Sequence, residues 1–106
     1  MKKTFDYIIA GGGSAGCTLA SRLSQDKSTN VLLIEAGGSG KSLFTSMPGG
    51  NGYIFGNPKF DWGFESTPQS SLNNRKILYP RGKGIGGSSL LNVMIYMRGA
   101  TRDCNR

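Results

Sequence analysis

The chain has 106 residues, including 17 glycines and no histidine, and this length suits one small domain rather than a two-domain enzyme. Hydrophobic residues make up 37% and the formal net charge is +7, which excludes a disordered or membrane-spanning chain by composition. The lack of histidine removes the commonest general base near neutral pH and the commonest metal ligand. We therefore assign no catalytic residue and no metal site to this chain.

Most of the basic excess lies in the second half of the chain. Residues 1–40 carry four bases and three acids, whereas residues 41–106 carry nine bases and three acids. Such an excess suits nucleic acid, anionic lipid or a phosphorylated ligand, and charge alone does not choose among them. Cys17 and Cys104 show no metal-ligand spacing, and the N-terminal apolar stretch is too short for a secretion signal. We therefore expect a reduced, cytoplasmic setting.

The first third of the chain has the pattern of a strand, a helix and a second strand. Residues Phe5–Ala10 form a β-favouring run that ends at three glycines, as a buried parallel strand does. The segment from Ser14 to about Gln25 predicts a helix with one face on a sheet. Its apolar positions recur every fourth residue, at Ala15, Leu19 and Leu23, with Ala20 alongside. Because Val31–Ile34 is a second apolar run, we predict an α/β fold with a Rossmann-like βαβ core.

The turn between the first strand and the helix carries a phosphate-binding motif. Residues Gly11–Gly16 match G-x-G-x-x-G in the context that gives the motif its meaning. Gly11 allows the tight turn, Gly13 lets a pyrophosphate come close to the backbone, and Gly16 allows close helix-to-strand packing. The helix N-terminus at Ser14 and Ala15 offers N–H groups and a partial positive charge. We therefore predict that an anion binds there.

An acidic residue lies where a dinucleotide-binding unit needs one. Glu35 ends the second strand, 19 residues after Gly16, and Ala36 follows it. A carboxylate at this position accepts hydrogen bonds from ribose hydroxyls and repels a 2′-phosphate. The ligand predicted from the residues is an adenine dinucleotide other than NADP, which leaves FAD and NAD open.

The rest of the chain is poorer in regular structure. Residues 38–58 are rich in Gly, Ser, Asn and Pro and predict a long lid-like loop, while residues 59–79 predict two short strands with a connection. Residues 80–89 form a second glycine-rich loop. With Arg81 and Lys83, it predicts a second anion site that leads into a buried helix over Leu90–Met97.

Two other ligand classes are less well supported by the residues. Gly40-Lys41-Ser42 resembles the end of a P-loop, but the motif needs glycine at Glu35, and the Pro48-Gly49-Gly50 stretch stops any following helix. Aromatic and basic side chains also permit single-stranded nucleic acid binding. That alternative would use Phe60, Trp62, Phe64, Tyr79, Arg81, Lys83 and Arg98. We favour cofactor binding over both alternatives and expect no nucleic-acid partner.

Taken together, four segments resemble the N-terminal part of the glucose-methanol-choline (GMC) oxidoreductase family, flavoenzymes that oxidise alcohols. The resemblance spans nearly the whole chain and is nearest to the choline dehydrogenase and alcohol dehydrogenase-like members. It rests on Asp6–Cys17, Glu35–Gly38, Phe60–Gly63, and the run from Pro80 through Ser88-Ser89 and Asn92 to Arg98-Gly99.

The resemblance implies a site for FAD. Gly11 to Gly16 would lie under the pyrophosphate, Glu35 and Ala36 beside the adenosine ribose, and Trp62 near the adenine. The rest of the cofactor, towards the flavin ring, would be lined by Arg81, Gly82, Lys83, Gly84, Gly87, Ser88, Ser89, Leu91 and Asn92. Some family members carry FAD covalently on a histidine that aligns with Leu91, so the expectation here is non-covalent binding.

The resemblance also implies what this chain lacks. The family's catalytic histidine aligns beyond residue 106, as do the substrate domain and the later parts of the FAD-binding domain. Residues 1–106 would then be the N-terminal part of that domain, inactive alone, with an alcohol substrate only in the full-length parent, whose membrane association stays open. The alternatives are an NAD-binding module and a truncated, non-functional product. The carboxylates of Asp6, Asp26, Asp61, Glu65 and Asp103 are expected to be solvated or to cap backbone groups.

Overall fold

The computed structural model describes residues 4–100, and these form two small sheets joined by loops. The helices and strands, in chain order, are β1 Tyr7–Ala10, α1 Ser14–Leu23, β2 Val31–Ile34, α2 Leu43–Ser46, α3 Asn51–Ile54, β3 Phe64–Glu65 and β4 Leu78–Tyr79. Two 3-10 turns lie at Ser70–Leu72 and Gly87–Leu91. Asp103 and Cys104 lie outside the described residues.

Strands β1 and β2 and helix α1 form the predicted βαβ unit. The strands pair in parallel, with Tyr7 opposite Val31 and Ala10 opposite Ile34. The prediction that these strands are buried is wrong for this chain, because Ile9 is buried while Ile8 is 64% exposed. The reason is that β1 and β2 form a two-stranded sheet, which has too few neighbours to cover both faces.

Helix α1 packs on the sheet with a face that matches the predicted one only in part. It ends at Leu23, two residues before the predicted end, and Ala15 and Leu19 are exposed. Gly16, Ala20 and Leu23 lie on the less exposed side. A Cβ at Gly16 would collide with the Gly11 carbonyl oxygen, so the packing role predicted for Gly16 is confirmed. The helix turns its smallest residues to the sheet because the smallest residues allow the closest approach.

The loop over residues 38–58 contains two single-turn helices that the sequence did not predict. Ser42 caps α2, where its side-chain oxygen accepts a hydrogen bond from the Phe44 N–H at 3.3 Å. The helix ends at Ser46, just before Pro48, so a P-loop helix does not form after Lys41. Its neighbour α3 contributes Ile54, which forms a small core cluster with Phe60 and Leu91.

The two short strands predicted within residues 59–79 are confirmed. β3 and β4 pair antiparallel, with Phe64 opposite Tyr79, and an ion pair of 3.6 Å joins Lys76 to Glu65 across the hairpin. The hairpin carries Trp62 at its base, next to the second glycine-rich loop.

The predicted buried helix over Leu90–Met97 is wrong. The 3-10 turn ends at Leu91, and residues 92–100 have no regular structure. Tyr96 and Met97 are 89% and 86% exposed. An apolar run becomes a buried helix only where other elements cover it on several sides, and residues 4–100 supply no such cover. None of the helices in this range is both long and apolar enough to cross a membrane.

Candidate functional site

The two glycine-rich loops lie side by side, with backbone against backbone. Gly13 and Gly86 form a parallel bridge, and the Gly86 N–H donates to the Gly12 carbonyl oxygen at 2.7 Å. A Cβ on Gly87 would come within 2.9 Å of the Gly13 Cα atom. The second loop therefore needs a glycine at position 87 for the two loops to meet this closely.

The first loop places the N-terminus of α1 at the end of β1. Gly11 turns the chain with φ +100°, a conformation that other L-residues rarely adopt. Gly13 is the N-cap of α1, and no side chain caps this end of the helix. The N–H groups of a first helical turn have no intrahelical acceptor, so together with the helix dipole they suit an anionic ligand.

The carboxylate of Glu35 links the first loop to the end of β2. Its Oε2 accepts a hydrogen bond from the Gly12 N–H at 2.6 Å, and its Oε1 accepts one from the Gly37 N–H at 2.8 Å. The bonds from Gly37 and Gly12 favour the ionised form and hold the pKa of Glu35 below its ordinary value. Each carboxylate oxygen has a further lone pair, so the predicted ribose contact is compatible with this arrangement and stays a prediction.

A cavity of about 530 Å³ opens between the two loops, and we call it the glycine cavity. Its lining residues are Ala10, Gly11, Gly13, Ile34, Glu35, Ala36, Trp62, Gly82, Gly87 and Ser88. Eight of these were predicted as cofactor-binding residues. Ala10 and Ile34 were not, although both are the last residues of parallel strands, where open α/β sheets bind ligands.

A second cavity, of about 330 Å³, is lined in part by residues that follow Ser88 in the sequence. Ser88 lines the glycine cavity, while the next residue, Ser89, lines the second cavity together with Asn92. The other walls come from residues 44–49, from Asn51 and Ile54, and from Leu90, Val93 and Met94. The predicted residues of the second loop are thus divided between two cavities.

The other predicted site residues lie outside both cavities. Ser14, Ala15 and Gly16 form the first turn of α1. Gly84 is buried in a bridge to Gly38, and Leu91 lies in the core cluster. Arg81 turns away, since its Nη1 donates to the carbonyl oxygen of Pro80 at 2.8 Å. Their contacts with a cofactor stay predictions.

Lys83 does not line the glycine cavity, but its side chain contacts Trp62, which does. Its Nζ atom lies 4.8 Å from the centroid of the Trp62 ring, a cation–π distance. The Trp62 ring stacks on Phe64, with centroids 6.1 Å apart, and it is 45% exposed. The cavity therefore has one flat aromatic wall with a positive charge over it.

Asp61 is a buried residue that the sequence analysis placed among solvated or capping groups. It is 4% exposed and accepts backbone hydrogen bonds of 2.9–3.0 Å from Gly56, Gly63 and Arg81. Burial alone raises the pKa of Asp61, but these three bonds outweigh burial and leave the pKa below its ordinary value. The Asp-Trp-Gly sequence before a hairpin was the available signal, because a short carboxylate binds nearby backbone N–H groups in turns.

These features are typical of one class of site, the adenine-dinucleotide site of a βαβ unit. Around the glycine cavity, backbone and small side chains leave room for a pyrophosphate beside Gly13, an acidic residue lies at the end of β2, and an aromatic ring forms the far wall. Within residues 4–100, no group of His, Cys, Asp and Glu side chains could hold a metal ion. The lining of the glycine cavity fits a dinucleotide cofactor because it combines backbone N–H groups, an acidic residue and an aromatic ring.

Comparison with known proteins identifies the family. The profile of the GMC oxidoreductase family matches residues 5–106. The chain is 48% identical to an oxygen-dependent choline dehydrogenase of Vibrio vulnificus over 103 residues, which are 97% of this chain and 18% of that protein.

Solved structures agree with the sequence comparison. The chain is similar to pyridoxine 4-oxidase from Mesorbium loti, with a TM-score of 0.82 and 41% identity over 94% of this chain and 19% of that one. It is also similar to an FAD-dependent oxidoreductase from Chaetomium thermophilum, with a TM-score of 0.67 and 37% identity over 96% of this chain and 17% of that one.

The chain belongs to the GMC oxidoreductase family and corresponds to the N-terminal part of its FAD-binding domain. Membership implies FAD as the cofactor, which settles the choice between flavin and nicotinamide that the residues alone left open. The chain spans 18% of the length of the choline dehydrogenase it matches.

Proposed function

We propose that residues 1–106 form the N-terminal part of an FAD-binding domain in a longer alcohol-oxidising flavoenzyme, and that they bind the cofactor without a covalent bond. The observation that carries this proposal is the meeting of the two glycine loops at the N-terminus of α1. The pyrophosphate would lie at Gly13, with the adenosine against Glu35, Ala36 and Trp62.

The flavin end of the cofactor would extend past Ser88 towards the second cavity. Support comes from Ser88 and Ser89, which are consecutive residues of the same 3-10 turn and line one cavity each. Ser89 and Asn92 offer polar atoms on this path, whereas Phe44, Leu90 and Val93 offer apolar surface. A planar ring with polar edges suits walls of both kinds.

Non-covalent binding is favoured by the residue at position 91. A covalent link on a side chain needs a nucleophilic atom, and the leucine here has none. Leu91 is also 6% exposed and packs with Ile54 and Phe60. The flavin should therefore leave the protein when the chain unfolds.

Oxidation of an alcohol is proposed for the whole protein and not for this chain alone. Bound FAD would accept a hydride from the carbon that bears the hydroxyl group. The residues of this chain would bind and orient the cofactor, and the ionised Glu35 would fix the first loop under it. Since the sequence contains no histidine, the base that removes the hydroxyl proton would come from another part of the parent protein.

A titration of the 106-residue chain with FAD tests the cofactor proposal. We expect protein-dependent quenching of flavin fluorescence, competition by ADP, and much weaker binding of NAD. Acid precipitation should leave all of the flavin in the supernatant. Stronger binding of NAD than of FAD would favour the NAD-binding module, and flavin retained in the precipitate would contradict non-covalent binding. If neither cofactor binds, this chain alone is not a cofactor-binding unit.

A further inference from the structure

We propose that Asp61 is a positioning residue for the cofactor site, holding Trp62 and the second glycine loop in place. The proposal extends the proposed function and rests on it where it concerns FAD. Asp61 does not line the glycine cavity itself. It acts through Trp62 and Gly82, which do.

The carboxylate of Asp61 lies where three segments of the chain meet. Its Oδ1 accepts hydrogen bonds from Gly63 and Arg81, each at 3.0 Å, and its Oδ2 accepts one from Gly56 at 2.9 Å. Gly56 lies near the end of the lid-like loop, Gly63 directly precedes β3, and Arg81 lies near the start of the second glycine loop. One side chain thus joins elements that are up to 25 residues apart in the sequence.

The backbone around Asp61 extends this link to the cavity wall. Asp61 and Gly82 form an antiparallel bridge. The Trp62 N–H donates to the Arg81 carbonyl oxygen at 2.9 Å, and the Lys83 N–H donates to the Phe60 carbonyl oxygen at 2.8 Å. Trp62 and Gly82 therefore lie beside each other on the wall of the glycine cavity. The Asp61 carboxylate stabilises this bridge by accepting hydrogen bonds from the N–H groups of Gly63 and Arg81 on its two sides.

Only a carboxylate of this length satisfies all three donors. Backbone N–H groups surround Asp61, and the ion pair found within residues 4–100 lies elsewhere, between Lys76 and Glu65. An asparagine has one acceptor oxygen and an NH₂ group, so it would leave at least one N–H facing another donor. A partly buried N–H group that has lost its acceptor is costly, and the segments should move apart to reach water.

Trp62 makes this proposal measurable without any cofactor, because it is the single tryptophan of the chain. We would compare Asp61→Asn with Asp6→Asn, whose Oδ2 accepts the Asn30 N–H at 2.8 Å far from the cavity. Ile9→Val serves as a second control, because Ile9 is a buried residue of β1 that lines neither cavity. Acrylamide quenching of Trp62 and FAD affinity are measured for each variant, well below its unfolding temperature.

We expect Asp61→Asn to raise the quenching constant of Trp62 and to weaken FAD binding about tenfold, as losing one buried hydrogen bond does. Both controls should keep the wild-type quenching. Wild-type quenching in Asp61→Asn, or an equal rise in Ile9→Val, overturns the proposal. If the wild-type chain fails to bind FAD, the proposed function fails while the Trp62 readout still decides the role of Asp61.

Amide hydrogen exchange on the wild-type chain covers the case in which Asp61→Asn does not fold. The N–H groups of Gly56, Gly63 and Arg81 should exchange more slowly than the N–H of Lys59. The Lys59 N–H donates to the Asn57 Oδ1 atom at 3.0 Å in a hydrogen bond that is exposed to solvent. Exchange of all three as fast as that of Lys59 overturns the proposal.

Discussion

Gly87 and Gly13 touch backbone to backbone, so closely that a Cβ on Gly87 would lie 2.9 Å from the Gly13 Cα atom. Two loops that are more than 70 residues apart in the sequence meet at this contact. The contact brings the N-terminus of α1 and the second glycine loop to the same cavity, and the proposed site depends on it.

Replacing Gly87 should separate the two loops. Gly87 has φ +57°, so Gly87→Ala adds backbone strain of about 1 kcal/mol to the clash with Gly13. We expect a loss of about 2 kcal/mol in the free energy of unfolding, measured by urea denaturation. Gly52→Ala is the matched control, because its Cβ would meet nothing within 4 Å. Equal urea midpoints for Gly87→Ala and Gly52→Ala would contradict the close contact between Gly87 and Gly13.

Charge placed at Gly13 should block the cofactor while leaving the fold intact. A Cβ at Gly13 would be 3.9 Å from the nearest atom, the Gly87 Cα, so Gly13→Asp fits the folded chain. Its carboxylate would occupy the pyrophosphate space and repel that group. We expect FAD affinity to fall by about tenfold or more with unchanged circular dichroism. Gly52→Asp carries the same charge on an open surface and should bind as the wild type does. Equal FAD affinity in Gly13→Asp would place the pyrophosphate elsewhere.

The lowered pKa of Glu35 predicts a loss of stability in acid. Because the N–H groups of Gly37 and Gly12 bind the ionised form, the stabilisation is complete above the unfolded pKa of about 4.3. It is lost as the pH falls through the lower folded pKa. Glu35→Gln should lower the free energy of unfolding by about 1 kcal/mol at pH 7. In this variant the free energy of unfolding should also fall less steeply as the solution is acidified.

Urea midpoints between pH 7 and pH 3 measure this effect of Glu35. The exposed Glu65, which is paired with Lys76 at 3.6 Å, provides the control Glu65→Gln, and its change at pH 7 should be smaller. Parallel pH curves for the wild type and Glu35→Gln would show that the carboxylate does not hold the first loop.

The ammonium group over Trp62 should matter for binding. Lys83→Met removes the charge 4.8 Å from the ring and should weaken FAD binding by about fivefold, with a smaller dependence on salt. Lys59 lies 5.5 Å from the ring of Phe60, a residue of the core cluster, so Lys59→Met should change little. Identical FAD titrations for both variants would argue against a role for Lys83.

The sequence predicted the local structure of the site better than its surroundings. The strand, glycines, helix and acidic residue in the first third follow local rules, because turn geometry and helix starts depend on nearby residues. The face of α1 was predicted only in part: the hydrophobic spacing wrongly placed Ala15 and Leu19 on the sheet. The prediction that Gly16 packs closely on the strand is confirmed.

Long-range contacts account for what the sequence did not predict. The junction at Asp61 joins Gly56, Gly63 and Arg81, and no pattern within one segment indicates such a meeting. The exposed run at residues 92–97 was predicted as a buried helix because its composition is apolar, but burial depends on cover that residues 4–100 do not supply. Hydropathy alone predicts that such an apolar run is buried in the core.

The most direct test of the account locates FAD on the chain. Two-dimensional NMR of the ¹⁵N-labelled chain, recorded during titration with FAD, reports every backbone N–H separately. We predict the largest shifts at Gly11, Gly13, Ser14, Gly82 and Ser88, and at the indole N–H of Trp62, with little change at Ser70–Leu72 of the distant hairpin turn. Shifts confined to the hairpin, or saturable FAD binding that leaves the Gly13 and Ser14 signals unmoved, would contradict a cofactor site between the two glycine loops.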